Sequence, residues 1–157
     1  MHLRTNSASL ELPDAEATKR LGAAVARICP PGVAVLLRGP LGAGKTTFVD
    51  GFAAALGAGR ASSPTFVVAH RYVGGSVALW HLDFYRLDAR EIDDLDVNEY
   101  LAADEITLVE WPERARFAWP KDRIEIDFCA AERGRRAELR AYGAARGAVD
   151  AAAGARR

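Results

Sequence analysis

Lys45 is one of three lysines in the chain, with Lys19 and Lys121, and it stands inside Gly39-Pro40-Leu41-Gly42-Ala43-Gly44-Lys45-Thr46-Thr47. Residues of these types at this spacing can hold a row of phosphates. The backbone N–H groups of Gly42, Ala43, Gly44, Lys45, Thr46 and Thr47 converge on phosphate oxygens, and a Cβ at Gly44 would crowd that approach. The Lys45 ammonium supplies a point charge for β- and γ-phosphates, and the Thr46 hydroxyl is a natural Mg²⁺ ligand. A helix starting here turns its positive end to the same anion. The ligand implied is a nucleoside triphosphate.

Chemistry at a terminal phosphate also needs a carboxylate at the end of a second apolar strand. Two qualify: Asp83 after Val77–Leu82, and Glu110 after Ile106–Val109. One acid would lie near the metal while the other orients the attacking water or couples nucleotide state to a partner. Spacing does not assign those roles. Between the loop and the acids lies Ser62-Ser63-Pro64-Thr65-Phe66, where the Ser63 and Thr65 hydroxyls are placed to meet a γ-phosphate or water. Segments at this place often order around the terminal phosphate.

The elements that must position these groups are readable. Val33-Ala34-Val35-Leu36-Leu37 is a near-continuous apolar run, as in a strand buried on both faces. Phe48, Phe52, Ala55 and Leu56 recur at helical spacing, and Gly57 sits where that helix should stop. Upstream, Ser9–Leu12 alternates as a short strand. Asp14 then N-caps a helix whose stripe is Ala17, Leu21, Ala24, Val25 and Ile28, closed by Pro30-Pro31-Gly32. Val67–Tyr72 and Val77–Asp83 flank Gly74-Gly75-Ser76 and predict a hairpin. Residues 88–104 predict short helices, and Ile106–Trp111, Arg123–Phe128 and Ala137–Tyr142 predict strands. The expected architecture is a three-layer α/β P-loop NTPase fold with a mixed, mainly parallel central sheet and antiparallel additions. Residues 1–142 read as one domain. From Gly143 to Arg157 the chain is mostly Ala, Gly and Arg, which predicts a disordered tail.

Composition narrows the classes. At 157 residues, with 21 acidic and 21 basic side chains, the chain has no net field to draw it to nucleic acid or membrane. Cys29 and Cys129 have no metal or redox spacing and are expected to be small buried hydrophobes. No run reaches membrane-spanning length and the start lacks a signal peptide's apolar core, so a cytoplasmic protein without membrane contact is expected. An Asn-Lys-x-Asp guanine-reading element is absent from the sequence, which disfavours a regulatory GTPase.

Four segments in order carry a family resemblance: Gly39–Phe48, Ser63-Pro64-Thr65-Phe66, His81-Leu82-Asp83-Phe84-Tyr85-Arg86-Leu87, and Leu108-Val109-Glu110-Trp111-Pro112. Together they make the chain similar to the TsaE (YjeE-type) family of small bacterial ATPases over roughly residues 10–140. The resemblance implies an ATP- and Mg²⁺-dependent part in making threonylcarbamoyladenosine, the modified base beside the anticodon. Such an ATPase does not transfer the threonylcarbamoyl group. It acts on a TsaB/TsaD-type heterodimer and meets tRNA only indirectly, through that complex. Carried over by position, Thr46 and Glu110 would be the Mg²⁺ ligands, Lys45 would hold the phosphates, Trp111 would lie against the nucleotide, and Asp83 would serve hydrolysis or switching. Lys45, Asp83 and Glu110 would thus carry catalysis. Thr18 and Gly134-Arg135 fall near positions lining an adenine pocket. One departure is Pro40, where the family commonly carries an acid. The rival readings are a small-molecule P-loop kinase and a non-catalytic ATP-gated binding module.

Overall fold

The computed structural model describes residues 6–60 and 68–154. Its centre is β2 (Ala34–Arg38), the apolar run that precedes the glycine-rich loop. Val35 and Leu37 enter one apolar layer while Ala34 and Leu36 enter the other, so the strand is covered on both sides as its composition requires. β2 pairs in parallel with β6 (Ile106–Glu110) and with β7 (Arg123–Ala130), and β6 pairs in parallel with β5 (Leu79–Asp83).

Antiparallel strands extend this parallel centre on both sides. β4 (Ala69–Val73) and the two-residue β3 (Gly59–Arg60) continue beyond β5. β8 (Arg135–Tyr142) and β1 (Asn6–Leu12) continue beyond β7. The sheet order is β1-β8-β7-β2-β6-β5-β4-β3. The hairpin expected around Gly74 is the β4–β5 pair, as predicted.

Helices α1 (Ala15–Ala26) and α2 (Lys45–Ala55) cover one face. Asp14 caps α1 as its sequence position requires, accepting a hydrogen bond from the Ala17 N–H at 2.7 Å. α1 stops at Ala26, leaving Ile28 on the surface rather than in the predicted stripe. Phe48 of α2 is fully buried and meets Phe128 edge-on with ring centres 6.0 Å apart, which seats the helix on β7. The other face is covered by α3 (Ala89–Asp94) and a 3₁₀ turn at Val97–Tyr100, so the three layers are complete. No helix among the described residues is long and apolar enough to cross a membrane.

Two expectations need correction. The chain does not lose structure at Gly143. A 3₁₀ turn (Gly143–Ala145) leads into α4 (Gly147–Gly154), with Ala145, Ala148, Val149 and Ala152 buried. The composition offers few large apolar side chains, but alanine is the best helix former and a small residue lets backbones pack close. Cys29 is buried, and desolvation pushes its thiol up to about 12. Cys129, in contrast, is half-buried on the polar face of β7.

α1 and α2 approach so closely that two glycines are required. A Cβ on Gly22 would lie 2.2 Å from the Phe48 carbonyl oxygen, and one on Gly51 2.2 Å from that of Lys19. Either contact must push the helices apart. We predict that Gly22→Ala lowers the unfolding free energy by about 2 kcal/mol, measured by urea denaturation; an unchanged midpoint would show that the helices separate freely.

The polar face of β7 is held by ion pairs. Glu125 meets Arg123 at 2.9 Å, Arg140 at 3.5 Å and Arg38 at 3.7 Å. Burial pushes its carboxyl up, but the Arg123 hydrogen bond and the three guanidinium charges outweigh that and hold it below its ordinary 4.5. A carboxylate with a depressed pKa stabilises only while ionised, so its contribution is present above 4.5 and disappears as pH falls through the lowered value. Glu125→Gln should therefore cost about 1 kcal/mol at neutral pH, with the difference from the parent closing in acid. Urea titrations at both ends of that range measure it, and a constant difference would assign the cost to packing instead.

Candidate functional site

The loop between β2 and α2 closes on itself. The Ala43 N–H donates to the Pro40 carbonyl at 3.1 Å, so Pro40, which has no N–H, contributes an acceptor instead. Gly44 sits at φ +104°, in the left-handed region, and a Cβ there would lie 3.3 Å from the Thr18 methyl. Gly44 also brings no capping side chain to α2. The first N–H groups of that helix are therefore available to an anion.

Lys45 folds back over this loop. Its Nζ donates to the carbonyls of Gly39 (2.5 Å) and Pro40 (3.0 Å) and lies 4.3 Å from the centre of the Trp111 ring. The residue is only 4% exposed. That desolvation lowers its pKa, against the opposing pull of Glu110, Glu113 and Asp83.

Both candidate acids end parallel neighbouring strands, and Asp83 and Glu110 are direct partners in the β5–β6 register. The ends of β2, β5 and β6 thus open on one edge of the sheet, where ligands of such folds bind. Glu110 is 4% exposed. Its Oε1 accepts from the Thr46 hydroxyl at 2.8 Å and lies 3.0 Å from His81 Nε2. Burial pushes the Glu110 carboxyl up, but His81, Thr46 and Lys45 together hold it below the ordinary carboxylate value. Asp83 is half-buried, and its Oδ1 accepts from the Tyr85 N–H at 2.9 Å.

Strand alternation would turn Trp111 away from Glu110. It does not, because β6 stops at Glu110 and Trp111 takes φ 59°, ψ 46°, the one positive φ at a non-glycine among the described residues. The Trp111 N–H still donates to the Leu37 carbonyl at 3.2 Å, and Pro112 then starts a 3₁₀ turn (Pro112–Arg114). The reversal brings the indole beside Tyr85 (ring centres 5.1 Å apart), with the Arg114 guanidinium 5.4 Å from its ring. A bulky residue in this conformation is strained, and such strain gathers at functional sites.

These groups line one cavity of about 230 Å³, bounded by residues 41–47, Asp83, Tyr85, Glu110 and Trp111. Gly42, Ala43, Gly44, Lys45, Thr46, Thr47, Asp83, Glu110 and Trp111 are thus brought together. Thr18 lies behind Gly44 rather than in this cavity. Arg135 reaches the loop from its outer side, with Nη2 donating to the Gly42 carbonyl at 3.4 Å. Ser63 and Thr65 lie outside the described residues. Sequence reasoning leaves Tyr85 as structural or partner-facing and His81 as a packed or hydrogen-bonded histidine, and it passes over Arg114; Tyr85 lines the cavity, while His81 binds Glu110 and Arg114 lies by the Trp111 ring. His81 was within reach, since a residue two before Asp83 on a strand shares its face.

The Thr46 hydroxyl and the Glu110 carboxylate put two oxygen donors together on the cavity wall, the hard-ligand chemistry that Mg²⁺ takes. No group of three or more His, Cys, Asp or Glu able to hold a metal ion occurs among the described residues. An ion here would share its remaining positions with phosphate and water, as Mg²⁺ usually does.

A buried central strand, a glycine-rich loop, a helix start and two strand-end carboxylates define an α/β protein of the P-loop fold class. The comparisons narrow this further. Residues 12–138 match the family model for "Threonylcarbamoyl adenosine biosynthesis protein TsaE". The chain is 42% identical over 117 residues to the tRNA threonylcarbamoyladenosine biosynthesis protein TsaE of Synechocystis, covering 71% of this chain and 74% of that one. It is 40% identical over 112 residues to TsaE of Bacillus subtilis, covering 71% and 70%. The crystal structure of YdiB from Bacillus subtilis superposes with a TM-score of 0.71 at 28% identity, over 96% of this chain and 94% of that one. The chain belongs to the TsaE family, whose part is in threonylcarbamoyladenosine biosynthesis.

The strain at Trp111 has a measurable size. Glycine relieves it and alanine does not, so Trp111→Gly should be more stable than Trp111→Ala by about 1 kcal/mol in thermal unfolding. Equal stability would mean that the backbone relaxes once the indole is gone.

Proposed function

We propose that the protein binds ATP with Mg²⁺ and hydrolyses it slowly, and that this activity supports the turnover of a TsaB/TsaD-type transferase in tRNA modification. The observation that carries the reading is the 2.8 Å contact between Thr46 and Glu110, made beneath a P-loop and beside Asp83 in register. In the reading, the N–H groups at the start of α2 and the Lys45 ammonium bind the β- and γ-phosphates. Thr46 and Glu110 would hold Mg²⁺, which would supply charge neutralisation for the phosphates. Asp83, fixed by the Tyr85 N–H, orients the water that attacks the γ-phosphorus. Water's oxygen joins that phosphorus as the bond to the β-phosphate oxygen breaks, leaving ADP and inorganic phosphate. Positioning and electrostatics dominate such a reaction, so no strong base is required.

The mouth of the cavity supports slow turnover alone and dependence on a partner. Leu41 at the tip of the loop is 70% exposed and Tyr85 is 38% exposed, so two apolar side chains stand at the edge of the site. A partner that covers this edge would exclude water and complete the site. The family's part in threonylcarbamoyladenosine biosynthesis supports a partner from that machinery.

Lys45→Ala should abolish tight ATP binding in calorimetry while circular dichroism stays unchanged. Phosphate release by the parent should be weak alone and change on adding the heterodimer; identical rates with and without it would overturn the partnership. Transfer of phosphate to a metabolite in place of water would make the protein a kinase. An Asp83→Ala variant that binds ATP without hydrolysing it should fail to sustain the transferase. Full support from that variant would make ATP occupancy, and not hydrolysis, the functional event.

A further inference from the structure

A glutamate carboxylate rotates broadly about its last bond, because a terminal sp³–sp² torsion has no narrow staggered wells. A carboxylate required in one orientation needs partners that stop this rotation. For Glu110 the two described bonds arrive from different elements and fall on the same oxygen. Thr46 reaches Oε1 at 2.8 Å from the first turn of α2, and His81 Nε2 reaches it at 3.0 Å from β5. The His81 and Glu110 side chains are 8% and 5% exposed, so water competes little for this bond. An ionised carboxylate has no proton to give, so the imidazole donates from Nε2.

The placement of His81 follows from the sheet. It lies opposite Leu108 in the parallel register, two residues before Asp83 on its own strand and level with the residue two before Glu110. All four side chains therefore share the α2-covered face. His81 does not line the cavity that Asp83 and Glu110 line, and its described link to that cavity is the carboxylate it binds. Partners of this kind orient metal-ligating carboxylates, and their loss typically lowers metal affinity about 10–100-fold.

We propose that His81 is a positioning residue that locks the Glu110 carboxylate for Mg²⁺ together with Thr46. The inference rests on the ATP–Mg²⁺ reading above and assigns a role within that same site. The alternative is a core histidine whose hydrogen bond serves only the fold. The two differ in what the metal feels. His81→Leu and His81→Asn both remove a donor that reaches Oε1, whereas the longer amide of His81→Gln places a nitrogen where Nε2 lay.

ATP titrations by calorimetry at stepped Mg²⁺ concentrations, with phosphate release measured in parallel, test the proposal. The Mg²⁺ needed for half-maximal effect should rise about tenfold or more in the Leu and Asn variants. ATP affinity in chelator should stay within about twofold of the parent, and the Gln variant should return to within about threefold of the parent's Mg²⁺ requirement. If Leu fails to fold by circular dichroism, Asn carries the comparison. A folded variant with the parent's Mg²⁺ dependence overturns the proposal, and so does failure of both Leu and Asn to fold, which would make the role structural. A parent that shows no Mg²⁺-dependent ATP binding at all would instead overturn the functional reading beneath it.

Discussion

The hydrogen bond from Thr46 to Glu110 joins the first turn of α2 to the last residue of β6, two elements 64 residues apart in the chain. It exists only because several separate placements agree. β6 must lie next to β2 with Glu110 level with Leu37. α2 must sit on the sheet at the height that Phe48 and Val49, both fully buried, impose. α1 must pass close enough behind α2 for Thr18 to abut Gly44, and Gly22 and Gly51 permit that approach. Core packing thus fixes the relative position of a hydroxyl and a carboxylate to within hydrogen-bond tolerance. Sites built on strand ends and helix starts gain this precision from the rigid elements beneath them.

Trp111 shows the opposite device, a local departure from regularity that serves the same cavity. The turn lets the indole line the cavity while it still packs against the layer on the other face of the sheet, the side to which alternation assigns it. The left-handed turn costs of the order of 1 kcal/mol. It is offset by the retained bond to the Leu37 carbonyl, the contact with Tyr85 and the Lys45 ammonium over the ring face. Because the Lys45 ammonium lies over the indole, the aromatic pair stands beside the glycine-rich loop.

The parts of this design with strong local signals were legible in the sequence. The loop, its buried strand and its helix have fixed spacing, and both strand-end acids follow apolar runs. The hairpin at Gly74 and the cap at Asp14 obey local turn and capping rules that need no tertiary context. What was not legible depends on register and long-range packing. Nothing near Glu110 says that it will stand beside Asp83, and nothing near His81 says that β6 will bring a carboxylate to it. Trp111 could be placed by alternation only on the assumption that its strand continued. The order after Gly143 is not legible because its apolar contribution comes from alanines, whose burial depends on how closely α1 and β1 approach and not on side-chain size.

The two carboxylates illustrate how a sheet gives different surroundings to two acids that sequence leaves equivalent. Asp83 and Glu110 end adjacent parallel strands in the same row and line the same cavity. Their surroundings nevertheless differ. Glu110 is buried, and its Oε1 is bound by a hydroxyl and an imidazole, so it is ionised and fixed in place. Those are the properties of a metal ligand, which must hold one position with little reorganisation. Asp83 is half-buried, and its Oδ1 accepts from the backbone N–H of Tyr85 in the turn that follows it. That leaves it nearer to solvent than Glu110. The division arises from position within the sheet, because β6 lies between β2 and β5 while β5 is followed by the antiparallel β4. The more central strand buries its terminal acid against α2, and its neighbour leaves its own at the edge of the site.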